Sequence, residues 1–191
     1  MGKYLFFDID GTLLSDVTHT VPQSAIEAIK KAKENGHHCF FCTGRSYFMT
    51  KEISFTGIED AIIANGAAVI RDGKPELQKI ISSDVVKKTI ELIETLGGGY
   101  QIIDWKYGYQ NPYTHAKFKE KFKEEFDLPV EEVFKKKSMK TMAEIENNPV
   151  LKIDATFETL EAAERFMKEL DPSLTFIPAG GYTSTFGAKA G

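Results

Sequence analysis

Cysteine is nearly missing from this sequence, with two among 191 residues. That excludes a disulfide framework and makes a reducing cytoplasm the expected compartment. A surplus of one charge is missing too. Lys and Arg number 24 against 28 Asp and Glu, a formal net charge of −4, so the broad basic footprint of a nucleic-acid binder is not expected. No apolar run reaches the length that crosses a bilayer, so no membrane partner is expected. Lys3, Asp8 and Asp10 sit in or beside the first apolar stretch, which excludes reading it as a signal peptide. Repeats and low-complexity tracts are also lacking, and nothing specifies an oligomeric state. What is present is globular: 42% hydrophobic and 27% charged residues, enough for a core in one ordinary domain or a small domain with an insertion.

The first half reads as α/β. Tyr4 to Phe7 are a short apolar run that suits a strand buried on both faces, as in a parallel sheet. In THTVPQSAIEAIKKAKENG, Thr20 is placed to N-cap a helix, with Gln23 closing a capping box and Pro22 in the first turn. Ile26, Ile29 and Ala32 recur at helical spacing, and Gly36 is a stop. HHCFFCTGRS is a second apolar strand ending in a polar turn. Strand, helix and strand in this order make a βαβ unit with parallel strands whose C-terminal ends share one edge. DAIIANGAAVI follows, with a hairpin signal at Asn65-Gly66, and a further turn falls at Asp72-Gly73.

From about residue 80 the rhythm changes to a separate α/β unit. Val85 to Leu96 are an amphipathic helix, YQIIDWKYGY a strand or hairpin, and HAKFKEKFKEEF a helix with Phe118, Phe122 and Phe126 four apart. PVLKIDATF alternates as a strand, TLEAAERFMKEL is a helix and LTFIPAGGYTSTF is strand-like. Lys135, Lys136 and Lys137 read as a solvated loop.

The chemistry concentrates in FFDIDGTLL. Two carboxylates so close do not both ionise cheaply without a cation or strong donors beside them. The C-terminal edge of a parallel sheet is where open α/β folds bind ligands. Asp8 and Asp10 can share a focus there while Ile9 points away, and oxygen ligands of this kind select a hard divalent cation, above all Mg²⁺. Gly11 permits a tight turn, and the amides around Gly11 and Thr12 can face an anion. The second strand ends in Thr43, Gly44 and Arg45. Parallel pairing brings the Thr43 hydroxyl near Asp8, giving a phosphate site to which Arg45 adds a guanidinium, unless Arg45 turns away into a structural ion pair. A carboxylate beside a cation can attack phosphorus and form an aspartyl-phosphate.

DIDGT at 8–12 after an apolar strand resembles the first motif of the haloacid dehalogenase superfamily, and CTGRS at 42–46 its second. ANGA at 64–67 and the α/β unit behind it resemble the Cof-like, type IIB capped phosphatases. The resemblance implies a Rossmann-like parallel-sheet core, half or whole, over 1–79 and an inserted α/β cap over 80–182. A return link over 183–191 then leads back to a core whose remainder is absent. It also implies a Mg²⁺-dependent phosphatase acting on a small phosphate ester, a sugar phosphate or a cofactor phosphate. Asp8 would attack phosphorus. Asp10 would protonate the leaving alcohol and then activate water. Asp8 by its side chain and Asp10 by its backbone carbonyl would hold Mg²⁺, and Thr43, with Gly44 and Gly11, would hold the phosphoryl group. Members go on to a lysine that steadies the phosphoryl-aspartate and to an acidic motif, often GDxxND. This sequence stops at TSTFGAKAG, where Lys189 is either that lysine's stand-in or a residue preceding it. A chain of this length is therefore expected to self-associate or to dissolve poorly. A phosphomutase of the same superfamily and a non-catalytic phosphate-binding fragment are the alternatives.

Competing readings are weaker. A calcium loop counted from Asp8 needs glycine sixth and glutamate twelfth, but Leu13 and His19 stand there. Cys39 and Cys42, after His37 and His38, suggest redox or zinc chemistry, yet on a strand they point to opposite faces and read as two buried core thiols. The phenylalanine stripe reads as a cap-core face. Tyr100, Trp105, Tyr107, Tyr109 and Tyr113 either line the cap's substrate side or pack within it.

Overall fold

Short apolar runs punctuated by turn residues set the first unit, Met1–Gln78. A computed structural model describes residues 2–190 except 16, 19, 126–128, 146–147 and 180–184; the side chains of 52, 125, 178–179 and 185–190 lie outside the description as well. Strand β1 is Tyr4–Phe7, helix α1 Gln23–Glu34, strand β2 His38–Cys42 and the short helix α2 Tyr47–Thr50. A 3₁₀ segment over Lys51–Thr56 leads to β3 (Asp60–Ile63), and Ala64–Gly66 turn into β4 (Ala68–Arg71) and then β5 (Lys74–Gln78). The sheet order is β1-β2-β3-β4-β5. β1, β2 and β3 run parallel, and β4 and β5 fold back antiparallel through the Asn65-Gly66 and Asp72-Gly73 turns. The expected βαβ unit and hairpins are therefore present. Ile29 of α1, Phe41, Ile63 and Ile70 are buried in this unit.

The helix cap differs from expectation. α1 starts at Gln23, with Pro22 in extended conformation before it and no side-chain cap bond. Thr20 instead shares a hydrogen bond with Thr18 at 2.9 Å, and Gln23 reaches forward to Glu27. Fixed proline geometry sets the entry here, so the hydroxyl is not needed for it. Cys42 also differs. Cys39 is buried and Cys42 exposed, because residues three apart on a strand face opposite sides. Burial raises the pKa of the Cys39 thiol, against a smaller lowering by Lys33.

The second unit spans Lys79–Gly191. It contains α3 (Ser83–Thr95), β6 (Gly99–Ile103), β7 (Gly108–Gln110), α4 (Pro112–Glu125), α5 (Val130–Lys136) and β8 (Met139–Thr141). β9 (Lys152–Thr156), α6 (Leu160–Glu169), β10 (Leu174–Ala179) and β11 (Thr185–Ala190) follow. The sheet order is β10-β11-β9-β6-β7-β8; β7 and β8 are parallel and the other neighbours antiparallel. Alternation puts Ile102, Tyr109 and Ile153 in one core with Ile93 of α3 and Phe166 of α6. Tyr100 joins this core and Tyr107 packs against it, so that part of the aromatic stretch is packing. Phe122 is buried against Val133 and Phe134, with Phe118 beside them, which is the expected cap-core face; Phe126 lies outside the described residues.

The lysine run is helical where a loop was expected. Lys135 and Lys136 form the last turn of α5, and Lys137 closes it. Pro129 and Glu131–Glu132 at the start and lysines at the end suit the helix dipole, while Val133 and Phe134 anchor its inner face. Residues 183–191, expected to lead back out of this unit, include strand β11, whose backbone pairs with β9 and β10 on its two sides.

Candidate active site

The parallel pairing of β1 with β2 sets the site. Phe7 lies opposite Phe41 in the last pair of the two strands, so Asp8 and Thr43 follow on adjacent strands at one edge. Ile9 is wholly buried, and Asp8 and Asp10 on either side of it are exposed. The chain then turns tightly. Gly11, at φ +73°, donates its N–H to the Leu14 carbonyl at 3.0 Å, and Leu14 donates to Ile9 at 2.8 Å. Buried Leu13 pins the turn from below. Two carboxylates thus emerge from a loop whose Ile9 and Leu13 are turned inward.

The second loop is held as firmly. Thr43 is buried, donates its N–H to the Ile62 carbonyl at 2.9 Å and accepts from Asn65 at 3.2 Å. Its hydroxyl oxygen accepts from the Arg45 N–H at 3.1 Å, an arrangement that leaves the hydroxyl proton to be given to a ligand oxygen. The Arg45 carbonyl accepts from Ala64 at 2.8 Å. A Cβ on Gly44 would stand 2.6 Å from the Asn65 side-chain oxygen, so glycine lets the two turns approach. Ala64, Asn65 and Gly66 all have positive φ, at 49°, 59° and 87°. Asn65 is the residue that sequence reasoning missed here. Its Asn-Gly pair signalled a hairpin, not a wall of the Thr43–Arg45 loop. Ser46 is fully buried, and its hydroxyl has no hydrogen-bond partner among the described residues.

The two loops meet through charge. The Arg45 guanidinium grips the Asp10 carboxylate with one edge: Nε donates to Oδ2 at 2.9 Å and Nη2 to Oδ1 at 2.7 Å. Asp8 makes no side-chain hydrogen bond or ion pair among the described residues. Asp8, Asp10, Gly11, Thr43, Gly44 and Arg45 all belong to the first unit. Lys189 belongs to the second, with its backbone opposite Lys152 and Thr175; its side chain lies outside the described residues. Among the described residues there is no group of three or more His, Cys, Asp or Glu side chains that could hold a metal. The donor chemistry present still fits Mg²⁺, which keeps several waters and takes one or two carboxylates with substrate phosphate oxygens. Asp8, exposed and unpaired, is such a carboxylate.

A parallel-sheet edge carrying paired aspartates and a strand-terminal threonine defines a class with many known members. The haloacid dehalogenase-like hydrolase family matches residues 5–186, and the chain belongs to that family. YkrA of Bacillus subtilis (strain 168), a phosphatase by name only, is 30% identical over 91 residues, which are 47% of this chain and 35% of YkrA. The matched stretch thus spans about a third of that relative. Among solved structures, a hypothetical protein from Geobacillus kaustophilus HTA426 is similar with a TM-score of 0.77 at 21% identity, covering 100% of this chain and 70% of that one. BT1666 from Bacteroides thetaiotaomicron, a phosphatase of the haloalkanoate superfamily, gives 0.73 at 25% identity, over 100% and 67% of the two chains. The subclass IIB sugar phosphatase BT4131 gives 0.71 at 23%, over 98% and 70%.

Proposed function

We propose that this protein hydrolyses a small phosphate ester by way of a phosphorylated Asp8. The observation that carries the reading is the division of labour between the two aspartates. Asp10 is held by Arg45, whereas Asp8, two residues away, is exposed and unpaired among the described residues. A nucleophile must be uncommitted, and a proton-transfer group must be held in place.

An Asp8 oxygen attacks phosphorus while the bond from phosphorus to the ester oxygen breaks. Asp10 gives its proton to the departing alcohol. Asp10 then removes a proton from water, whose oxygen attacks the phosphoryl group and frees Asp8. Thr43 donates its hydroxyl proton to a phosphoryl oxygen, with Gly44 beside it; the Gly11 and Thr12 amides, expected to face an anion, instead donate to the Leu14 and Ile9 carbonyls at 3.0 and 3.3 Å. The Asp8 carboxylate and the Asp10 carbonyl would hold Mg²⁺, which when bound would supply positive charge against the repulsion between anionic nucleophile and anionic substrate. The proposed substrate class is a sugar phosphate or cofactor phosphate; the name of BT4131 favours the former.

The test is release of inorganic phosphate from p-nitrophenyl phosphate. Activity is expected with Mg²⁺ and not in excess chelator. Asp8→Asn is expected to lose ~1,000-fold or more, as removal of a covalent nucleophile does. Equal turnover in Asp8→Asn sinks the mechanism.

A further inference from the structure

We propose that Arg45 is the positioning residue for Asp10: the guanidinium sets the plane of the proton-transferring carboxylate and leaves the substrate phosphate to other groups. The proposal rests on the function argued above and deepens it.

The geometry separates holder from held. The Arg45 side chain is 13% exposed and that of Asp10 56%, so the arginine is the embedded partner. Its backbone is fixed at both ends, by its N–H on the Thr43 hydroxyl at 3.1 Å and by its carbonyl under the Ala64 N–H at 2.8 Å. Nη1 lies 3.5 Å from the Met49 carbonyl, which restrains the far side of the guanidinium. From that base, two parallel N–H bonds reach two different carboxylate oxygens. One bond would fix a distance; two fix the carboxylate plane. An exposed aspartate on a turn otherwise exchanges rotamers freely, and proton transfer needs its oxygen within hydrogen-bond reach of the leaving atom.

The same bonds argue against Arg45 as a phosphate ligand. The Nε–Nη2 edge is the one that matches a planar anion, and Asp10 occupies it. A phosphate on that edge would strip Asp10 of the group that orients it. Arg45 therefore joins the phosphate-facing threonine to the proton-transferring aspartate through a single residue.

Leaving-group dependence distinguishes the roles. An alkyl phosphate needs its departing oxygen protonated, while p-nitrophenolate leaves without a proton. For kcat/KM, which reports the phosphorylation step, Arg45→Ala is expected to lose ~100-fold on the alkyl ester, within the range of acid–base catalysis, and under ~10-fold on the aryl ester. Inhibition by inorganic phosphate should stay unchanged. Arg45→Lys should not recover the alkyl activity, because an ammonium cannot fork. Adding Arg45→Ala to Asp10→Ala should cost nothing further. Equal losses on both esters, a large rise in the phosphate inhibition constant, or additivity with Asp10→Ala overturns the proposal. A wild-type protein without Mg²⁺-dependent turnover, matched by Asp8→Asn, instead sinks the functional reading and this proposal with it. Independently of activity, the Arg45 Nε–H should give a resolved, slowly exchanging NMR resonance that Asp10→Ala abolishes. A resonance indifferent to Asp10→Ala overturns the pairing.

Discussion

Gly11 stands in the left-handed region, at φ +73°, in the turn between the two carboxylates and Leu14. An L-residue there is strained by roughly 1–2 kcal/mol. Gly11→Ala is expected to lose about that much stability in urea unfolding, and to lower turnover more than stability because the strained turn moves Asp10. Asp8, Asp10 and Thr43 were legible from sequence because each follows an apolar strand, and strand pairing alone brings their positions to one edge. Arg45 was legible only as a choice between phosphate and ion pair. The partner is 35 residues away in sequence, and only the fold shows that its side chain reaches Asp10. Asn65 was legible as a turn and not as a neighbour of Gly44, since close approach of two loops leaves no periodic mark.

Helices and strands show the same split between pattern and context. α6 begins as its sequence directs: Thr159 accepts from the Ala162 N–H at 3.2 Å, and Thr159→Ala is expected to cost about 1 kcal/mol in thermal or urea unfolding. α1 and α5 depart because local signals competed. Pro22 displaced the Thr20 cap, and a short lysine-rich segment hid the two inward residues that make α5 a helix. The second unit also holds two phenols that resist ionisation, one on β6 and one on α4. Tyr100 is raised to about 12, first by burial and then by its hydrogen bond to Glu94. Tyr113 is raised to about 12, first by its hydrogen bond to Glu158. Both folded values lie above the ordinary 10.0. The native state therefore keeps protons that the unfolded chain has released, and stability falls as pH rises through that interval. Absorbance near 295 nm should show both as late-titrating tyrosines. Glu158→Gln should return Tyr113 most of the way, whereas Glu94→Gln should move Tyr100 only in part.

At the scale of the whole molecule, β1 is an end strand of its sheet. Tyr4 and Phe6 on it are 58% and 55% exposed, beside the Phe40 ring. Open edges with aromatic faces recruit further chains. Sedimentation is expected to show concentration-dependent association of the 191-residue chain, reduced by Phe6→Lys; a monodisperse sample across the concentration range contradicts this. The α/β class was legible because alternating strand and helix patterns are local. The strand order of the second sheet was not, since it depends on which distant edges meet. That order has a consequence for synthesis. Among the described residues β10 pairs with β11 alone, so Leu174–Ala179 leaves the ribosome before the strand that seats it. A pause in translation at that point would hold a nascent chain with β9 bare along one edge, and that is the moment at which a chaperone would have most to shield.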